Sequence, residues 1–280
     1  MPDATQIDQL AAFLAAHPRL FVLTGAGIST GSGIPEYRDE NGAWKRPAPV
    51  QYQDFVQQAR IRQRYWARSL IGWPRFRQAA PNACHRTLAA WEAAGQIAEL
   101  VTQNVDRLHQ AAGSHRAIDL HGRLDRVICL DCGAGLARDT LQQWLVEMNP
   151  GFARLTAETA PDGDAYLEGT DFDGFRVPHC PDCGGTLKPD VVFYGETIPR
   201  ERVERAIDAL LGAEALLVIG SSLMVYSGFR FCRLAAEHGM PIAAINPGLT
   251  RADALFGLKL AARFEDVARA LPRSLCAVQA

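Results

Sequence analysis

The sequence predicts an α/β protein built on a doubly wound parallel sheet, with a smaller domain inserted into it. Three observations carry that prediction. Short apolar runs alternate with segments of helical periodicity along most of the chain. Glycine- and serine-rich turns follow several of these runs. Two stretches break the alternation, one rich in aromatic and charged residues and one holding paired cysteines.

The opening segment "MPDATQIDQLAAFLAAHPRL" reads as an amphipathic helix, capped by Asp3 or Thr5 and ended by Pro18. The runs "RLFVLT" (19–24), "IAELVT" (97–102), "DVVFYG" (190–195), "ALLVIG" (215–220) and "PIAAIN" (241–246) read as strands. They are almost continuously apolar, as strands covered by helices on both faces must be. Helices are predicted near 83–95, 199–212 and 228–238. Strand, helix and strand in this order mean parallel neighbours joined by crossovers. Such sheets bind ligands beyond the carboxyl ends of their strands, where the polar residues after positions 24, 102, 220 and 245 fall. The breaks are residues 40–77, which include "IRQRYWARSLIGWPRF" (61–76), and residues 126–187. The predicted organisation is a Rossmann-like domain made of 1–44, 78–125 and 188–280. A helical module at 45–77 and a cysteine-bearing module at 126–187 form the smaller domain.

Composition excludes several classes of function. The chain has 280 residues, enough for a large core without disulfide staples. Its 29 basic and 31 acidic residues nearly cancel, so neither nucleic acid nor a membrane surface is an expected partner. No apolar run approaches the roughly 20 residues of a membrane span. The N-terminal segment lacks a basic leader and is poor in arginine, so a cytoplasmic location is expected; a monomer is the separate expectation for its assembly.

The stretch "TGAGISTGSGIPEYR" (24–38) follows a strand with Gly25, Gly27, Gly31 and Gly33. Glycines there let backbone N–H groups approach a pyrophosphate. Read as G-x-G-x-x-G, its third position is Thr30, and no acid closes a second strand about twenty residues on, as in an ordinary dehydrogenase. Nucleotide binding is the expectation, with a tight turn as the alternative. "GSSLMVYSG" (220–228) and "INPG" (245–248) follow later strands. Ser221, Ser222 or Ser227 could approach a ligand or cap a helix. Asn246 could bond a ribose or shape a turn.

Seven cysteines are present. Cys129-x-x-Cys132 and Cys180-x-x-Cys183 bring four thiolates to one ion, as a structural zinc site requires. Two redox dithiols or an iron–sulfur cluster are the alternatives. The smaller inserted domain is therefore expected to be zinc-binding and helical. Cys84, Cys232 and Cys276 lie in apolar surroundings and read as buried, inert side chains. Of the three histidines in "QNVDRLHQAAGSHRAIDLHG" (103–122), His109 falls on a short helix and His115 near a turn. His121 follows "AIDL" and would lie beside Gln103 and Asp106, where a neutral imidazole could act as a general base.

Taken in order, "GAGIS", "GIPEYR", "QNVD", "LHG", the cysteine pairs, "KPDVVFYGE", "GSS" and "INPG" resemble the sirtuins, the NAD-dependent protein deacylases. "GIPEYR", "RQRYWAR", "CLDCG" and "APDGD" look most like class II, the sirtuin 4 type. The resemblance implies that NAD and an acyl-lysine peptide meet in the cleft. The acyl oxygen is presented to C1′ of the ribose, and free lysine, nicotinamide and O-acyl-ADP-ribose leave. His121 matches the catalytic base that takes the ribose 2′ hydroxyl proton. Gln103, Asn104 and Asp106 match the group around nicotinamide and its ribose. Gly25, Ala26, Gly27, Tyr37 and Arg38 match the cofactor loop. Gly220, Ser221, Ser222, Asn246, Pro247 and Gly248 match contacts to phosphate and the adenosine ribose, and Phe264 a backbone contact to adenine.

The resemblance also implies that Val192, Tyr194, Gly195 and Glu196, with the segment Leu223 to Tyr226 that includes Val225, hold the substrate backbone by strand addition. Tyr65 and Arg68, three apart, line up with a pair that recognises acidic acyl groups; a solvated helix face is the alternative. The acidic loop 150–178 either reaches over the acyl channel or lies free at the surface. Two other functions compete. A mono-ADP-ribosyltransferase would use the same NAD site, and a non-catalytic NAD-sensing module would lack some of these residues.

Overall fold

The computed structural model describes residues 3–45, 49–157, 164–167 and 169–271. Helix α1 (Ala4–Ala16) is capped by Asp3, whose carboxylate accepts the Thr5 N–H at 3.4 Å. It stops at His17, before the ring of Pro18. Ile7, Leu10 and Leu14 recur on one face and are buried. Strand β1 (Leu20–Thr24) follows, buried at all five positions. Helices α2 (Tyr52–Gln57), α3 (Ala59–Phe76) and α4 (Ala83–Ala93) come next. Then come β2 (Ile97–Thr102), α5 (Leu108–Ala111), β3 (Ala117–Asp119), β4 (Gly122–Cys129), β5 (Gly135–Ala137) and α6 (Arg138–Met148). The chain continues through β6 (Leu187–Val191), α7 (Arg200–Leu211), β7 (Ala215–Ile219) and α8 (Tyr226–Glu237). It closes with β8 (Ile242–Ile245), β9 (Leu258–Leu260) and α9 (Phe264–Ala270).

The larger sheet has the order β3-β2-β1-β7-β8-β9, and every neighbouring pair is parallel. The chain winds outward from β1 in one direction and from β7 in the other. The switch between β1 and β7 opens a crevice at their carboxyl ends, where such sheets hold ligands. One face of the sheet packs on α1, α4 and α9 through Leu10, Leu88 and Phe264. The other packs on α7 and α8 through Leu210 and Phe231.

A second, antiparallel sheet has the order β5-β4-β6 and shares a core with α2, α3 and α6. Its presence corrects one expectation. The run 190–195 is not a strand of the parallel sheet. The strand ends at Val191 and pairs antiparallel with β4, and Val192 to Gly195 continue as a wall of the crevice. Those residues are apolar because they face a cavity, and a local apolar run cannot distinguish a cavity wall from a buried strand. Strands β3 and β9 were not predicted, because three residues are too few to show a period. The described part of the acidic loop packs inward: Phe172 and Phe175 are buried beside α3 and α6, and the Ala165 N–H donates to the Arg68 carbonyl at 3.0 Å. None of its described residues lines the crevice.

Gly122 fixes the exit from His121 into β4. Its φ is +85°, and an added Cβ would sit 2.1 Å from the Asp190 carbonyl oxygen. Replacement by alanine is expected to cost at least about 2 kcal/mol, the sum of a left-handed backbone and a backbone clash. Urea denaturation of Gly122→Ala measures this, and an unchanged midpoint would contradict the geometry.

Candidate active site and metal centre

The crevice encloses a cavity of about 550 Å³. Its floor is the meeting of two loops, the turn after β1 and the turn after β7. The Gly25 N–H donates to the Ile219 carbonyl at 3.1 Å, and the Gly27 N–H donates to the Gly220 carbonyl at 2.9 Å. Gly220 adopts φ +62°, and a Cβ there would lie 2.8 Å from the Ile28 nitrogen. The loops touch backbone to backbone, which only glycine permits. Ala26, Ser221 and Ser222 complete this floor, and Asn246, Pro247 and Gly248 line its far end. Asn246 also shapes its own turn, donating to the Gly248 carbonyl at 3.0 Å.

Over this floor stands the segment around Tyr37 and Arg38, both lining the cavity. The Arg38 guanidinium donates to the Gly42 carbonyl at 2.8 Å and lies 3.9 Å from the centre of the Trp44 ring. Trp44 meets Tyr194 edge-on at 5.6 Å, so the segment leans on the opposite wall.

At the end of β2 the polar residues form one network. Asp106 accepts from Ser29 Oγ at 2.7 Å, from Asn104 Nδ2 at 3.4 Å and from the Leu108 N–H at 2.9 Å. Burial pushes its carboxyl above the ordinary range, and these donors oppose that shift. Beneath it, His85 reaches Ser29 Oγ at 3.4 Å, and His109 reaches Thr24 Oγ1 at 2.9 Å. Gln103 accepts from Ser221 Oγ at 2.5 Å, tying the network to the second glycine loop.

His121 is the residue these elements bring to the cavity. Its Nδ1–H donates to the Gln103 carbonyl at 3.0 Å, which assigns the proton to Nδ1 and leaves a lone pair on Nε2. That nitrogen accepts from Ser227 Oγ at 2.8 Å. Burial lowers the imidazole pKa to about 4; the Gln103 carbonyl opposes this, while the charges of Arg202 and Arg230 reinforce it. The ring is neutral at pH 7 and able to accept a proton. His115 is exposed in a bend away from the cavity, and His109 is buried below it.

The remaining wall is Val192, Tyr194, Gly195 and Glu196 on one side and Leu223 and Val225 on the other. The Val192 N–H donates to the His121 carbonyl at 2.8 Å. The Glu196 carboxylate is already engaged, accepting from the Phe193 N–H at 2.8 Å and pairing with the buried Lys188 at 3.0 Å. Two expected site residues fall elsewhere. Phe264 does not line the cavity; its ring is buried against Trp91, at 5.9 Å between centres. Arg68 does not line it either: its Nε donates to the Ala165 carbonyl at 2.8 Å, while Tyr65, one turn earlier, does face the cavity.

The cysteine pairs form two equivalent turns. Cys129 N–H bonds the Ala134 carbonyl at 2.8 Å, and Cys180 N–H bonds the Gly185 carbonyl at 2.9 Å. All four sulfurs lie within 4.8 Å of one another. Cys129 and Cys183 are 3.5 Å apart, and Cys132 and Cys180 3.8 Å. A tetrahedral zinc with sulfurs at about 2.3 Å has edges of ~3.8 Å, so the donor set fits that ion. Cys84 and Cys232 are buried, and burial raises their thiols to about 11 and about 12, so both are inert. Cys276 lies outside the described residues.

The model of the Sir2 family matches residues 25–227. The chain belongs to the Sir2 family. An NAD-dependent protein deacetylase of Xanthomonas campestris pv. campestris (strain 8004) is 62% identical over 251 residues, covering 90% of this chain and 86% of that protein. The human NAD-dependent protein lipoamidase sirtuin-4, mitochondrial, is 48% identical over 264 residues, covering 93% of this chain and 84% of that one. A solved Sir2 structure with p53 peptide and NAD+ superposes with a TM-score of 0.75 at 29% identity, covering 94% of this chain and 96% of the other. Within this Sir2 chain, motif reading had not assigned the Ser29–Asp106 contact, the Ser227–His121 contact or the Lys188–Glu196 pair to the site. Ser29 stands in "GAGIS", so its position was visible and its partner was not.

Two outcomes are expected. Cys180→Ser should lower bound zinc, read by elemental analysis, and should lower the melting temperature of the folded chain. Undiminished zinc would exclude the tetrad. The second concerns pH. Burial lowers His85 and His121 from 6.5 to about 4, and His109 well below 6.5. The unfolded chain therefore binds protons that the folded chain refuses. Stability present above pH 6.5 is lost as pH falls, by about 1.4 kcal/mol per pH unit for each histidine. Asp106, shifted upward, works in the opposite sense. Melting temperature should fall between pH 6.5 and 4, and His109→Asn should flatten that slope; an identical slope in the variant would contradict it.

Proposed function

We infer that this chain is an NAD-dependent protein deacetylase, which releases nicotinamide and transfers the acyl group of an acyl-lysine to ADP-ribose. The observation that carries the reading is one placement: a neutral imidazole, with its proton on Nδ1 and its Nε2 acting as an acceptor, lines the same cavity as two glycine-lined loops. The names of the Xanthomonas campestris and human relatives support it. NAD supplies the ribose carbon that the acyl oxygen attacks and the nicotinamide that leaves.

The chain's own residues supply everything else. Gly25, Ala26, Gly27, Gly220 and Ser221 let backbone approach a pyrophosphate without obstruction. Tyr37 and Arg38 cover it from above. Gln103, Asn104 and Asp106 hold the nicotinamide ribose, their side chains oriented by Ser221 and Ser29. Ser222, Asn246, Pro247 and Gly248 take the adenosine side. Val192, Tyr194 and Gly195 face Leu223 and Val225, and an extended peptide between them adds a strand with its lysine aimed inward. His121 Nε2 takes the proton of the ribose 2′ hydroxyl once the Ser227 hydroxyl, which donates to that nitrogen at 2.8 Å, rotates away. A zinc ion held by four thiolates has no open position, so it would secure the small sheet and take no part in acyl transfer.

The choice of acyl chain belongs to Tyr65 and the apolar side chains near it, since Arg68 is turned to Ala165. This favours an uncharged acyl group over a carboxylate-bearing one.

His121→Ala should fold and bind NAD, and should lose deacetylation by about 10²-fold or more, followed by mass spectrometry of an acetyl-lysine peptide. Wild-type turnover by that variant would remove the assigned role. Labelled NAD separates the alternatives: O-acetyl-ADP-ribose as the product supports deacylation, and label retained on protein supports ADP-ribosyl transfer.

A further inference from the structure

Three guanidinium groups surround one aromatic ring that lines the cavity. The Cζ atoms of Arg230, Arg233 and Arg251 lie 5.4, 5.6 and 5.8 Å from the centre of the Tyr226 ring. Arg251 also lies 4.6 Å from the centre of the Phe229 ring. Tyr226 lines the cavity and keeps 41% of its surface exposed. Tyr226, Arg230 and Arg233 stand at i, i+4 and i+7 of α8 and so share one face. Arg251 arrives from the loop after β8, fixed by its N–H bond to the Ser222 carbonyl at 2.9 Å.

The nearby acids neutralise only one member of this cluster. Glu237 pairs with Arg233 at 3.2 Å. Asp253, close to Arg251 in sequence, is held by Lys259 at 2.8 Å and Thr250 at 2.6 Å. Among the described residues no carboxylate forms an ion pair with Arg230 or Arg251. Arg230 lines the cavity, and its Nε is buried without a hydrogen-bond partner among the described residues. Arg230 and Arg251 thus bring two unneutralised like charges to one ring. They repel one another, and an incoming anion would relieve both the repulsion and the orphaned donor.

We propose that Arg230, Arg233 and Arg251 form a subsite for a carboxylate side chain of the protein substrate, beside the acyl-lysine. The proposal rests on the deacetylase reading. Leu223 and Val225, which that reading gives to the substrate backbone, lead directly into Tyr226, and Ser227 touches His121. A lysine aimed at His121 therefore carries its flanking residues past the arginine cluster. The cluster selects among substrates through binding, not through the chemical step.

The test uses the full chain and a series of acetyl-lysine peptides in which Gln at each of the four positions on either side is replaced by Glu, one at a time. At one or two positions Glu should lower KM about 3–10-fold with kcat unchanged, and the effect should shrink with salt. In an Arg233→Gln, Arg251→Gln double variant the KM ratio of Gln to Glu peptide should fall to one. Arg251→Glu, a second variant should the first not fold, should reverse the preference toward Lys at the same position. A ratio near one at every position, or a ratio that survives both variants, overturns the proposal. Fluorescence anisotropy with the same peptides needs no turnover. Glu preference in binding without any deacetylation would sink the activity and keep the subsite; deacetylation without Glu preference does the opposite.

Discussion

The hydrogen bond from His121 Nδ1 to the Gln103 carbonyl is the contact on which the site depends. It selects one tautomer of the ring, and burial then keeps that ring uncharged. The carbonyl is itself positioned by the sheet, because the Gln103 N–H donates to the Thr24 carbonyl at the end of β1. A single bonded path thus runs from the central strand to the imidazole in the cavity. The backbone of His121 is held from the other side by Val192, so the ring sits where the two sheets meet.

The floor of the cavity obeys a harder constraint, contact between two backbones. Gly25 and Gly27 on one loop and Gly220 on the other leave no space for a Cβ between them. Closeness here serves two ends at once. It joins the two loops at the switch point of the sheet, and it lets Ser221 reach Gln103 across the join. The polar network behind it is almost fully paired, which is what permits Asp106 and His85 to stand so deep.

Much of this was legible in the sequence. The strands at 97–102 and 215–220 and the three predicted helices lie within two residues of their observed ends, because continuous apolar runs and helical spacing are local signals. The residues His121, Gln103 and the four cysteines were found from their motifs and do converge. What escaped depends on three-dimensional approach. The stretch after Asp190 turned from strand to cavity wall. Arg68 was placed on the correct helix, but the direction of its long side chain is decided by the loop at Ala165, which is remote in sequence.

The pair of Lys188 and Glu196 gives the zinc-side sheet a mechanical role. Lys188 stands on β6 one residue after Leu187, which pairs with Cys129 in the register of β4. Glu196 stands in the wall proposed to receive the peptide, and it also clasps the Phe193 N–H. A short irregular segment of chain would ordinarily sway with solvent. Here it is bolted through one buried cation to a strand whose own seat is the thiolate cluster, so the stiffness of the docking groove is borrowed from a centre that never meets the ligand.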